Sequence, residues 1–153
     1  SEKIAEFNAA SRARDAQAIA AAQAAEKAAA AKAAQELAEA RANGAGAAVP
    51  EGLRSLDSFR QKPGNPIPKY DANERLQRQQ GEVVFYAYVD QNGVPSQFRL
   101  IQATGYRNLD AKTLRALKQW RFYPGQEGWV EFPFKWDLKG GPQEMPALLR
   151  RKK

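Results

Sequence analysis

The chain has 153 residues, 43% of them apolar, and 24 Lys and Arg against 17 Asp and Glu give a net charge of +7. It holds no Cys and no His, which excludes disulfides, thiolate or imidazole metal sites, Cys nucleophiles and His general bases. No run of about 18 apolar residues is free of charge, so the sequence offers no membrane-spanning segment.

Residues 1–42 are Ala-rich, with scattered Glu, Lys, Arg and Gln. Ala has the best intrinsic helix propensity, and the charges keep such a helix soluble. Ile4, Phe7, Ile19 and Leu37 form no continuous stripe, so the segment is read as a solvated helix. If helical throughout, it reaches on the order of 60 Å at about 1.5 Å per residue. Opening on Ser1 fits either a fragment of a longer protein or a chain that has lost its initiator Met.

Asn43-Gly44-Ala45-Gly46 should stop the helix, because Asn and Gly accept the left-handed cap conformation. Residues 43–65 then read as a linker stiffened by Pro50 and Pro63. Within it Leu53, Leu56 and Phe59 lie three apart, as one apolar helical turn that would dock on the following domain, or else on a partner.

That domain spans 66–140, since all three Trp, all five Tyr and five of the seven Phe lie beyond residue 65. Asp71 and Glu74 have the spacing of a capping box, with a short helix expected through Gln80 and a stop at Gly81. Val83, Phe85, Ala87 and Val89 alternate with Val84, Tyr86 and Tyr88, which predicts a half-buried strand. The turn Asp90-Gln91-Asn92-Gly93 leads into a second strand over 94–103, with Phe98 and Leu100 on the first strand's apolar face. Asn108 or Asp110 can cap the next helix, whose Ala111, Leu114, Leu117 and Trp120 face the sheet while Lys112, Arg115 and Lys118 stay wet. Trp120-Arg121-Phe122-Tyr123-Pro124-Gly125 closes that helix against the sheet. Val130, Phe132, Phe134, Trp136 and Leu138 give the cleanest period-two pattern in the chain. Pro133 has no amide donor, which assigns this last strand to a sheet border.

The order of parts is β-β-α-β, an α+β domain with a three-stranded antiparallel sheet. Residues 141–153 are read as a basic flexible tail ending in Arg150-Arg151-Lys152-Lys153. From residue 66 onward, 15 Lys and Arg face 9 Asp and Glu, and that terminal run supplies most of the excess.

No catalytic constellation is present: Asp71, Glu74, Glu82 and Asp110 are read as caps or surface charge, and neither a cofactor nor a metal is expected. Tyr86 and Tyr88 with Arg99 resemble a base-stacking platform, but without a run of Lys the face is read as a protein-contact surface or as covered by the linker.

Tyr70-Asp71-Ala72, Gly81-Glu82-Val83, Asp90-Gln91-Asn92-Gly93, Thr104-Gly105, Leu109-Asp110 and Trp120–Gly125, in that order, resemble the C-terminal domain of the TonB family over about residues 66–138. The Ala-rich helix ahead is more similar to TolA than to the Pro-rich spacer of typical TonB. The resemblance implies a periplasmic protein held in the inner membrane by an N-terminal segment outside this chain. That segment would engage a proton-driven motor, while the domain binds an extended peptide of an outer-membrane transporter or another envelope protein. It implies β-strand addition, with Val130, Glu131, Phe132, Pro133, Phe134 and Lys135 as the receiving edge and Ile67 and Tyr70 as further partner contacts. Gly81, Trp120, Arg121, Phe122 and Pro124 would be structural motif residues. Ile67 stands where the family has a Gln important for contact, and Asp71 where it usually has Pro; both departures bear on the partner. Weak homodimerisation is compatible with the resemblance, and nucleic acid is not an expected partner. The alternatives are an adaptor of the same fold in a motility, secretion or envelope complex, and, more distantly, a basic nucleic-acid-binding module.

Overall fold

The computed structural model describes residues 2–146. The chain divides into two units, one ending at Ala33 and the other beginning at Ala34.

Helix α1 spans Glu2–Gly44. Within the first unit Ile4, Phe7 and Ile19 are all more than half exposed, as an Ala-rich helix without an apolar stripe requires. In the second unit the same helix behaves differently. Leu37 and Ala40 are buried and join the domain's core, so the expectation of a solvated helix holds only for its earlier part.

The second unit continues with β1 (Arg54–Ser55), a 3-10 turn (Leu56–Ser58), α2 (Ala72–Leu76), β2 (Gly81–Val89), β3 (Pro95–Gln102), α3 (Arg107–Leu117), β4 (Gly128–Asp137) and β5 (Gly141–Glu144). The expected three strands lie in the order β4-β2-β3, all antiparallel. Two more strands correct the three-stranded expectation to a mixed sheet of five. Strand β1 pairs parallel to β4 at its N-terminal end, and β5 pairs antiparallel to β4 at its C-terminal end. Residues 141–144 therefore belong to the sheet, while 147–153 of the expected tail lie outside the described residues.

The β2–β4 register sets Val83 opposite Phe134, Phe85 opposite Phe132 and Ala87 opposite Val130. Alternation then puts one apolar set on one face, and α3 covers it with buried Leu109, Leu114 and Leu117. Trp120 fills the end of this core. It is 1% exposed, lies edge-on to Phe132 and Phe134, and its Nε1 donates to the Pro66 carbonyl at 2.7 Å. Leu56 and Phe59 are buried with the core, Phe59 meeting Phe122 edge to face at 5.5 Å. The expected turn of the linker does dock on its own domain.

The capping box at Asp71 is formed in both directions, Glu74 N to Asp71 Oδ1 at 2.7 Å and Asp71 N to Glu74 Oε1 at 3.0 Å. The helix ends earlier than expected, at Leu76, and Arg78 takes a positive φ of 56°. Asp71 has its pKa lowered, chiefly by the Glu74 amide, with desolvation opposing and Lys112 adding to the lowering. Its contribution to stability is thus present above the unfolded-state pKa and lost as pH falls through the folded one. Acid unfolding followed by tryptophan fluorescence should show a shallower acid limb in Asp71→Ala than in the parent; equal limbs would remove the cap from the stability account.

Neither expected cap of α3 acts as one. Its N-cap is Tyr106, with no side-chain cap bond. Asn108 instead donates to Glu74 Oε2 and Gln79 Oε1, both at 2.7 Å. Asp110 Oδ1 accepts from Thr104 N and Thr104 Oγ1, pinning the Thr104-Gly105 turn to the helix. Burial raises the pKa of Asp110, opposed by those two bonds and by Arg41. Lys112, expected to stay wet, binds Glu74 Oε1 at 2.6 Å and ties α3 to α2.

Candidate functional site

The expected receiving strand is β4, and its side chains are nearly all consumed by the fold. Val130, Glu131, Phe132 and Phe134 are 0% exposed and Pro133 is buried, leaving Lys135 as the exposed member of the set. Any grip on this strand must therefore come from its backbone.

That backbone is engaged on both sides. Inward, β4 pairs with β2 continuously from Gly128 to Trp136. Outward, Val130 and Glu131 face Arg54 and Ser55 of β1, while Phe134 to Asp137 face Glu144 to Gly141 of β5. The Pro133 carbonyl accepts from Met145 N at 2.9 Å. A residue's N–H and C=O point to the same side of a strand, and the sides alternate. Pro133 therefore directs its missing donor outward, between the ends of β1 and β5, and Phe132 directs its groups inward to β2. The expectation of an open receiving edge over Val130–Lys135 is thus corrected: the chain's own backbone lines that edge.

The two occupants differ in how they are held. Strand β5 presents Gln143 and Glu144 exposed and Gly141 and Pro142 half-buried, so it buries no side chain in the core. Glu144, although exposed by area, is desolvated enough by its neighbours to raise its pKa, and the nearby Asp57 raises it further, so the two carboxylates oppose each other beside the ladder. Strand β1 has only two residues, but Arg54 anchors it. Its Nη2 donates to the carbonyls of Gln126 at 2.8 Å and Glu127 at 3.0 Å, and its guanidinium lies 4.1 Å from the Phe59 ring centre.

Ile67 is 42% exposed and open to a partner. Tyr70 is not: its hydroxyl donates to Gln79 O at 2.6 Å, its ring meets Trp136 at 4.9 Å, and Arg75 lies over it. Gly81 needs its φ of 157° less than its lack of a side chain, because a Cβ there would come within 3.0 Å of the Thr104 carbonyl. Phe122 is fully buried beside Trp120, and Arg121 Nη1 caps carbonyls of Lys118 and Trp120. Pro124 precedes Gly125, whose amide donates to Gln91 O at 3.1 Å.

The aromatic face considered for base stacking is not an open platform. Tyr86 is 8% exposed, Tyr88 Oη is bonded to Glu127, and the Arg99 guanidinium stacks 4.3 Å from the Trp129 ring centre. Among the described residues no cluster of acidic side chains could hold a metal ion, and no helix is long and apolar enough to cross a membrane.

The β-β-α-β order, the aromatic closure at Trp120 and the two short strands lining the outer side of β4 define a small α+β domain built around that strand. Residues 66–138 match the family described as Gram-negative bacterial TonB protein C-terminal, and the chain carries a TonB-family C-terminal domain. It is 30% identical to Protein tonB2 of Pseudomonas aeruginosa over 80 residues, which cover 48% of this chain and 30% of that relative. The solution NMR structure of the Pseudomonas aeruginosa TonB CTD is also similar, at 20% identity and a TM-score of 0.43, covering 54% of this chain and 90% of that one.

Proposed function

We propose that this is a periplasmic TonB-type protein whose domain takes an extended peptide of an outer-membrane partner onto β4 in exchange for β5. The rest of the protein would tether that partner to an inner-membrane motor and pass force to it. The reading is supported first by the contrast between the two strands. β4 is fixed by nine residue pairs to β2 and by a buried apolar set, whereas β5 adds four pairs and no buried side chain. Replacing β5 by another strand conserves backbone hydrogen bonds, so the net cost of opening the border is small when a peptide is at hand. Ile67 is exposed, and the family resemblance names it as a further partner contact. The TonB-family domain supports placing the protein in the envelope.

The test is a reversible lock. Lys135 and Gln143 are register partners across β4 and β5, and the chain has no natural cysteine. A Lys135→Cys, Gln143→Cys chain should capture labelled extended peptides from the periplasmic face of outer-membrane transporters when reduced, and lose that capture when oxidised. Fluorescence anisotropy reads both states on one sample. Equal capture in the two states would exclude exchange at β5.

A further inference from the structure

We propose that residues 34–55 form a strap coupling the end of α1 to the border of β4, so that loosening either end loosens the other. The inference rests on β4 being the receiving strand and concerns what regulates its border. The strap lies outside the stretch that matches the TonB family, which begins at residue 66.

One end of the strap is seated at β3, the sheet's opposite border. Leu37 is 3% and Ala40 2% exposed within the core. Glu36 Oε2 pairs with Lys118 Nζ at 2.9 Å. Gly44 lies so close to β3 that a Cβ on it would stand 2.2 Å from the Leu100 carbonyl oxygen. Covering a strand border with a helix is a known way of keeping it from other strands. The other end is β1, paired with Val130 and Glu131 of β4. A single short piece of chain therefore holds both borders of one sheet.

Its fastening is uneven. Between Gly44 and Arg54 the backbone bonds among the described residues are local, Ala45 N to Arg41 O, Ala47 N to Gly44 O and Leu53 N to Pro50 O. Just past β1 the chain is fixed firmly. Tyr123 N donates to Arg60 O, Lys62 N to Arg121 O, and Arg60 and Gln126 exchange two bonds of 2.6 and 3.0 Å. Tension arriving along α1 would strip the helix end from β3 and β1 from β4, then stop at the Phe59–Phe122 contact with the sheet intact. The border of β4 near Glu131 is then governed by α1 through the strap, and the stretch beyond Pro133 by β5. Because coupling between sites is reciprocal, a peptide that displaces β1 would in turn loosen the helix end.

Amide exchange on the full chain, with no peptide present, tests this. Leu37→Ala should raise exchange of the amides closing the β1–β4 ladder by about tenfold, an ordinary coupling strength. Arg54→Ala should raise it to a similar extent for residues 37–44. The β2–β4 amides around Phe85 serve as the internal reference for global opening and should not change. If Leu37→Ala opens the whole domain, Glu36→Gln, which removes only the ion pair with Lys118, carries the same comparison. Variants that loosen their own end and leave the other at parental rates would overturn the strap. That result would leave strand exchange at β5 standing, and a coupled chain that captures no peptide would instead refute the functional reading.

Discussion

Trp120→Ala should cost about 3–5 kcal/mol of folding stability, the usual range for deleting a large buried aromatic. The ring is nearly inaccessible and has three aromatic neighbours, Phe122 at 6.3 Å, Phe132 at 5.6 Å and Phe134 at 5.8 Å. Packed among rigid rings held by the β4 ladder, the void cannot collapse readily, which favours the upper part of that range. The substitution also orphans the Pro66 carbonyl, which the indole N–H holds at 2.7 Å. Small domains hold roughly 5–15 kcal/mol in all, so the variant should be partly unfolded well below the parent's midpoint. Urea unfolding followed by circular dichroism measures this. Trp120→Phe keeps most of the aromatic volume and loses the hydrogen bond, so it should cost roughly 1–3 kcal/mol. Parental midpoints for Trp120→Ala would make this residue a surface contact and remove the plug from the account of the fold.

What the sequence shows of this fold follows from the length of its signals. Val83 to Val89 and Val130 to Leu138 alternate over many residues, and a period-two pattern that long fixes which face meets α3 and the register with it. The expectation of a half-buried strand fails because Val84, Tyr86 and Glu131 on the other face are buried too. The capping box at Asp71 and Glu74 is local chemistry and reads directly. Strand β1 gives no such signal, because two residues cannot alternate, and its parallel pairing depends on Val130, far along the chain. Strand β5 is hidden by its composition: Gly140-Gly141-Pro142 reads as an exit from a strand, and nothing local shows that the next residues turn back onto β4.

Docking of the helix end was equally hidden. Ala40 is buried among many exposed alanines of identical local context, and Leu37 alone cannot make a stripe. The candidate site suffered most from these omissions. Identifying β4 as the strand of interest needed only its pattern and Pro133, whereas its occupancy is decided by β1 and β5, two elements that carry no pattern. Family resemblance marked the strand and could not supply its occupants, since β1 and β5 both lie outside the stretch that resembles the family.

Gly93→Ala should be more damaging than its size suggests, because two independent effects coincide at this position. Gly93 has φ 84°, a region where a side chain costs on the order of 1–3 kcal/mol. A Cβ would also stand 2.0 Å from the Phe122 carbonyl oxygen. That neighbour is backbone and cannot rotate away, and Phe122 N is itself bonded to Gly93 O at 2.9 Å. Relief requires the β2–β3 turn to leave the aromatic closure, which would shift Phe122 from Phe59 and Trp120. Gly125 separates the two effects. Its φ of 89° is equally unfavourable for a side chain, yet nothing lies within 4 Å of a Cβ built there. Gly125→Ala should therefore show the backbone strain alone, and Gly93→Ala should lose about 1–3 kcal/mol more, the usual penalty for forcing a group into packed space. Near-ultraviolet circular dichroism should change for Gly93→Ala and stay parental for Gly125→Ala, since only the first moves the rings. Equal losses in the two variants would mean that the close approach of Gly93 to Phe122 contributes nothing. The seat of Phe59, where the strap beyond β1 is made fast, would then have to depend on other contacts.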